Sequence, residues 1–325
     1  MQPILSLLIA VISATTVPPH CDPATYLRDG AWLERRTGPL ELPARCTLDP
    51  SGELQVFDHI GLRYACNDSE PDRRRYQWWP KPPCTRPSWA RIMRPNRTVW
   101  VVGDSMSMQM AFVLHCSLAG VAEWHPPSWG HLLQISGRDA RNHRIAGCAL
   151  SSDGGQLCYL PAGTNALTVA AALHVVIEHG NAVSSDVALV NSGVWQMGHA
   201  RGDVYQRKMV ESLLKLASHA DCPRLFWRES FAQHFPSVDG IWSPQINITA
   251  TGCTGRPSAQ PPILREVAVK LGAHPRVTVL PSWHSTQHLA AAHYGAGDCS
   301  HFCTWSGALQ ATLDAFAWGF EALGD

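Results

Sequence analysis

From residue 98 onward short apolar runs alternate with longer amphipathic ones, and this alternation restricts the fold more than any other feature of the chain. Thr98-Val99-Trp100-Val101-Val102-Gly103 is β-branched, aromatic and closed by a glycine, which predicts a buried strand. Residues 107–118 predict a helix, residues 187–191 a second apolar strand, and residues 204–218 a helix whose apolar side carries Met209, Val210, Leu213, Leu214 and Leu216. Residues 224–227 and 277–280 predict two further strands, with a helix over 263–271 between them and a last helix over 308–323. Strands separated by helices are joined by crossovers, so the order predicts an α/β fold: a parallel sheet with helices on both faces, three layers deep. In such sheets the site lies outside the carboxyl ends of the strands. Residues 120–180 carry no assignable pattern, and no internal repeat stands out.

At that predicted edge stands Gly103-Asp104-Ser105, and far along the chain Asp298-Cys299-Ser300-His301. A serine at a strand-to-helix turn, with a distant His and Asp, supplies the parts of a nucleophilic acyl-transfer site. Asp298 and His301 lie just before the last helix, so the fold can return them over the same sheet edge. Each half admits a plainer reading. Ser105 suits a helix cap, and His301 is one of 16 histidines.

Composition narrows the partners. Lys plus Arg and Asp plus Glu number 26 each, and this charge balance argues against a nucleic-acid surface. It suits a neutral ligand such as a glycan. Thirteen Trp stand against eight Phe; exposed indoles stack on sugar rings, but most of them are read as core. Eleven cysteines exceed the need of a cytosolic enzyme and predict disulfides in an oxidising compartment, with one cysteine left over or paired between chains. No Cys-x-x-Cys pair exists, which weakens a structural zinc site. Residues 4–17 form an apolar run that suits a signal peptide or short anchor over residues 1–17, or else a buried strand. Sequons at Asn67, Asn96 and Asn247 also fit secretion.

Residues 21–95 are rich in Pro, Arg, Trp and Cys without sustained periodicity. Such a stretch is expected to wrap the domain of residues 96–325, pinned by Cys21, Cys46, Cys66 and Cys84. The run Arg73-Arg74-Arg75 with Tyr76, Trp78 and Trp79 reads either as an anionic-ligand patch or as a solvated turn before buried aromatics.

Several blocks, taken in order, resemble the trichome-birefringence-like polysaccharide O-acetyltransferases of plants, within the wider PC-esterase and SGNH-hydrolase group. They are Cys21-Asp22 with Gly30-Ala31-Trp32; Tyr64-Ala65-Cys66-Asn67 with Pro71-Asp72; Trp78-Trp79-Pro80 and Cys84; Val102-Gly103-Asp104-Ser105-Met106-Ser107; Asn191-Ser192-Gly193-Val194-Trp195; Trp227-Arg228-Glu229-Ser230 with His234-Phe235 and Cys253; and Asp298-Cys299-Ser300-His301-Phe302-Cys303. The chain departs from the family at Asn67-Asp68-Ser69-Glu70-Pro71-Asp72, at Gln196, in the glycine-poor stretch before Cys253 and in its short N-terminal run.

The resemblance implies an SGNH-hydrolase-like fold and transfer of an acetyl group through a Ser105 acyl-enzyme, with His301 as base and Asp298 orienting it. Oxyanion and binding roles then fall to the Ser105 backbone N–H, Gly103, Asp104, Asn191 and Arg228; without the resemblance, Asn191 reads as a strand-end turn and Arg228 equally as a structural ion pair. The acceptor is a polysaccharide, and the donor acetyl-CoA or an acetyl group relayed by a membrane protein. No metal, bound cofactor or nucleic acid is implied, and the place of action is the secretory pathway: the Golgi lumen, or outside the cell. A secreted carbohydrate acetyl esterase with the same triad is the first alternative, and a non-catalytic glycan-binding protein the second.

Overall fold

The structure is a computed structural model that describes residues 21–34, 76–79, 87–118, 124–125, 127–128, 146–162, 168–193, 201–243, 246, 252–253, 259–295, 298–304 and 307–323. Its first elements are α1 (Pro23–Asp29), β1 (Ala31–Glu34), β2 (Tyr76–Trp79), α2 (Trp89–Ile92), β3 (Thr98–Gly103) and α3 (Ser105–Ser117). There follow β4 (Gly147–Leu150), β5 (Gln156–Pro161), α4 (Val169–His179), β6 (Val187–Val190), α5 (Gly202–Ala217), β7 (Arg224–Arg228), α6 (Pro262–Gly272) and β8 (Val277–Leu280). The last are α7 (Ser282–Thr286), β9 (His293–Gly295), β10 (Asp298–Phe302) and α8 (Ala308–Glu321).

The chain is an α/β protein around a six-stranded sheet of order β4-β5-β3-β6-β7-β8. The last five strands of that order are parallel, and β4 pairs with β5 antiparallel. β3 is flanked by β5 and β6, with Val99 opposite Leu157 on one side and Val187 on the other. The chain thus leaves β3 first towards one edge and then towards the other. The crevice at the carboxyl ends of β3 and β6 is where open α/β sheets place ligands.

Period-two alternation sends successive side chains to opposite faces of the sheet, so each strand serves two cores. Val99, Val101, Leu157, Tyr159, Val187, Leu189 and Phe226 face a cluster shared with α1, α3 and α8. Trp100, Val102, Leu160, Ala188, Val190, Leu225 and Trp227 face a cluster shared with α4, α5 and α6. Phe316 of α8 meets Phe226 edge-on at 4.8 Å between ring centroids. Burying one such ring contributes about 1.5–3 kcal/mol.

The four strands and the helices expected from residue 98 onward are all present, with ends shifted by a few residues. Residues 120–180, which suggested nothing, supply β4, β5 and α4. The disulfide Cys148–Cys158 joins facing residues of β4 and β5. Cys21, Cys116 and Cys303 are also disulfide-bonded. Cys222 is free and buried, and burial pushes its thiol up to about 11 despite the charge of Arg276.

The described parts of the stretch expected to be irregular hold α1 and an antiparallel pair, β1 with β2. Tyr26, Leu27 and Trp78 enter the same core as α8. Trp78 Nε1 donates to the Tyr26 carbonyl at 3.0 Å, and Trp32 Nε1 to the Ser285 carbonyl at 2.5 Å. Of the sequons, Asn96 stands exposed on the turn before β3, while Asn67 and Asn247 lie outside the described residues. So do residues 1–17, Cys46, Cys66, Cys84, Arg73-Arg74-Arg75 and Trp195. Among the described residues no helix is long and apolar enough to cross a membrane.

Candidate active site

The nucleophile turn is built from the end of β3. Gly103 ends the strand, and Asp104 caps α3 by accepting from the Met106 N–H at 3.0 Å. Such a cap stabilises a helix by about 1 kcal/mol. Because Asp104 does the capping, α3 starts at Ser105, two residues earlier than its apolar pattern suggests, and the Ser105 hydroxyl is not consumed as a cap. A side chain at position 103 would collide with the Ser107 hydroxyl and lie 2.8 Å from the Asn191 carbonyl, so the turn needs glycine for close approach. From beneath, the Tyr159 hydroxyl donates to the carbonyls of Gly103 at 3.2 Å and Asp104 at 3.4 Å.

The other half of the site is β10, paired with β9 in a small hairpin of irregular register. In a straight strand, residues i and i+3 point to opposite faces. Here Asp298 Oδ1 accepts from the backbone N–H groups of Ser300 at 3.1 Å and His301 at 3.0 Å. That turn curls the strand and brings the two side chains together. Asp298 Oδ2 lies 2.7 Å from His301 Nδ1, and His301 Nε2 lies 2.7 Å from Ser105 Oγ.

Charge fixes the direction of this chain of hydrogen bonds. Burial pushes the Asp298 carboxyl up, but hydrogen bonds and charge from His301, with the two backbone donors, outweigh it and bring it down to about 2. A carboxylate only accepts, so neutral His301 carries its proton on Nδ1. Nε2 therefore presents a lone pair to the Ser105 O–H. This is the protonation pattern that a general base needs. Ser105 is 6% exposed, whereas the side chains of His301 and Asp298 are 12% and 29% exposed, so solvent reaches the site on the hairpin side.

Sequence reasoning missed what holds the halves together. Gln109, one helical turn beyond Ser105, donates from Nε2 to the Phe302 carbonyl at 3.0 Å and lies 3.4 Å from Thr304 Oγ1. Its only signal is an amide inside a helix buried on every side. Gln233 Nε2 donates to Ser300 Oγ at 2.8 Å. The Cys253–Cys299 disulfide ties the residue after Asp298 to a segment 46 positions earlier. Closing a loop of that length contributes about 4 kcal/mol on the chain-entropy view. Cys299→Ser is expected to lower unfolding free energy by about that amount, read by denaturant titration. Serine-directed labelling should fall with it, because the same bond pins the hairpin.

Asn191 and Arg228 stand close to the turn, but the polar group of each is already engaged. Asn191 Nδ2 donates to the Arg228 carbonyl at 2.9 Å and lies 3.5 Å from Ser230 Oγ. The amide thus ties the carboxyl ends of β6 and β7, rather than offering a free donor beside Ser105. Arg228 is fully buried, its guanidinium 4.5 Å over the Phe231 ring. Its NH2 lies 3.9 Å from Asp104 Oδ1 and 3.4 Å from Ser107 Oγ. Burial lowers it to about 10 against the opposing pull of Asp104, so it stays charged at neutral pH. Asp104, an acceptor only, serves as helix cap and as partner to Arg228. Neither charge supplies a donor to a developing oxyanion in this arrangement, and among the described residues the turn itself offers the Ser105 backbone N–H, at the amino end of α3.

Among the described residues no cluster of three His, Cys, Asp or Glu side chains could hold a metal ion. No protein-family model matches the chain, and no curated protein matches it in sequence.

Proposed function

We propose that the chain is a serine-dependent O-acetyltransferase of the SGNH and PC-esterase kind, acting on a polysaccharide in the secretory pathway. The observation that carries the reading is the unbroken chain Ser105 Oγ, His301 Nε2, His301 Nδ1, Asp298 Oδ2, with both contacts at 2.7 Å. The ordered blocks that resemble the trichome-birefringence-like family supply the substrate class. The disulfides favour an oxidising compartment such as the Golgi lumen.

The mechanism is a double displacement. His301 Nε2 takes the Ser105 proton as Oγ attacks the acetyl carbonyl of the donor, acetyl-CoA or an acetyl group relayed by a membrane protein. The imidazolium is stabilised by Asp298, and the donor's leaving group departs with that proton. The acetyl group is then an ester on Ser105. A sugar hydroxyl gives its proton to His301 and attacks, and Ser105 is released with the proton returned. Asp104, Gly103 and Tyr159 hold the turn, while Asn191 and Arg228 brace the floor beneath it.

The test is mass spectrometry of xylan, mannan and pectin oligosaccharides incubated with purified protein and an acetyl donor. A gain of one acetyl group that is lost in Ser105→Ala supports the transferase and identifies its acceptor. Ser105-dependent loss of acetyl from pre-acetylated oligosaccharides, with no gain, moves the assignment to an esterase. Absence of both, with no serine-directed fluorophosphonate label at Ser105, leaves a glycan-binding protein.

A further inference from the structure

Behind His301 lie two histidines that the acyl-transfer chemistry does not use. His234 Nδ1 is 2.6 Å from His293 Nε2, and both residues are buried, at 0% and 1% exposure. The outer nitrogens of the pair both face carbonyl oxygens. His293 Nδ1 is 3.1 Å from the backbone oxygen of His301, and His234 Nε2 is 2.9 Å from that of Gln287. Phe302 stacks on His293 with ring centroids 4.2 Å apart.

Counting protons shows what this arrangement requires. Each carbonyl accepts, so each outer nitrogen must carry a hydrogen. The central nitrogens lie within hydrogen-bond distance, so one hydrogen must stand between them. That makes three protons on four nitrogens, whereas two neutral imidazoles carry two. With only two, one of the three contacts sets lone pair against lone pair.

We propose that His234 and His293 share one extra proton as an imidazole–imidazolium pair, and that this proton keeps His293 Nδ1–H on the His301 carbonyl and so positions the base. His293 and His234 are positioning residues, since neither touches Ser105. Burial presses both His293 and His234 below the ordinary imidazole range, and the neighbouring ring adds to this at His293, so the shared charge is held against its desolvation by the three hydrogen bonds it completes. Asp298 from β10 favours the third. His301 on β10, and His288 beyond the end of α7, oppose it from either side. The arrangement is therefore complete while the pair holds its shared proton and is lost as pH rises through the point where that proton leaves.

The positioning role rests on the acyl-transfer reading; the proton count does not. The test therefore has two parts on the full-length protein. In the first, nuclear magnetic resonance of histidine-¹⁵N-labelled wild type near pH 6 should show a far-downfield exchangeable proton and one imidazolium's worth of charge over the two rings. Both should vanish together at alkaline pH. Two neutral rings at pH 6, with no such proton, would overturn the proposal. In the second, fluorophosphonate labelling of Ser105 is followed against pH. The wild-type rate should fall about tenfold as the downfield proton disappears, the scale of a small misplacement of a catalytic group. His234→Asn keeps an N–H towards His293 Nε2 without needing an extra proton, so it should label at the wild-type rate with no alkaline fall. A His234→Asn profile that keeps the fall, or wild-type labelling indifferent to loss of the proton, would remove the positioning role. Should His234→Asn fail to fold, His293→Asn, which keeps a donor for the His301 carbonyl, makes the same comparison. Wild type that never labels would sink the acyl-transfer reading, while the resonance still decides the proton.

Discussion

Ser105→Ala is expected to lower acetyl transfer by on the order of 10⁴- to 10⁶-fold, because the covalent intermediate has no other oxygen on which to form. What remains should be the small acceleration that binding and the helix amino end give to direct attack. The same change should scarcely move thermal stability. Asp104, not Ser105, caps α3, so no helix cap is lost. The single hydrogen bond removed is to His301 Nε2, on a partly exposed ring that water can satisfy, and its net worth is about 1 kcal/mol. A melting curve beside the activity assay therefore separates chemistry from folding. A large loss of activity with an unchanged melting temperature is the expected pair of results. Activity within tenfold of wild type would remove Ser105 from the mechanism.

The parallel sheet was legible because its central strands are buried on both faces and read as unbroken apolar runs, as in Val187-Ala188-Leu189-Val190. β5 was not legible, although it lies beside β3 at the centre of the sheet. Its run Gln156-Leu157-Cys158-Tyr159-Leu160-Pro161 is as apolar, but it is preceded by the four-residue β4 and a glycine turn, with no helix to announce a crossover. The triad was legible because each member sits in a short block whose chemistry is specific once the blocks are paired. Asn191 and Arg228 stand at the strand ends, but spacing cannot say that the Asn191 amide is taken by the Arg228 main-chain carbonyl or that the Arg228 guanidinium turns to Asp104 and Ser107. Gln109, Tyr159 and His293 were invisible for the same reason, and His234 was seen within its block but with no role attached. Each depends on a contact with a residue more than 50 positions away in the chain, Gln109 with Phe302, Tyr159 with Gly103, and His234 with Gln287 and His293, and only the fold brings those partners within reach.

Asp298→Asn tests the electrostatic half of the site, and its expected cost is about 10⁴-fold in transfer rate, the scale seen when the orienting carboxylate of a triad is replaced by an amide. The geometry explains why neither orientation of the amide serves. With its NH2 towards His301 Nδ1, the amide forces the imidazole proton onto Nε2, where it faces Ser105 as a donor and cannot accept. With its oxygen towards Nδ1, the amide turns its NH2 against the backbone N–H groups of Ser300 and His301, which Asp298 Oδ1 accepts from at 3.1 and 3.0 Å. The curl that brings residues 298 and 301 together then loses its tie. The stability effect has a sign that can be checked independently. The Asp298 carboxyl lies at about 2 in the folded chain against an ordinary 3.8, so its ionised form favours folding, by at most about 2 kcal/mol at neutral pH. That contribution is complete above the unfolded value and fades as pH falls from near 4 towards 2. Wild type should therefore be more stable than Asp298→Asn at pH 7, and the gap should narrow as unfolding is measured at successively lower pH. A gap of the same size at pH 7 and pH 2.5 would mean that the carboxylate is held by packing rather than by the hydrogen bonds that also orient His301.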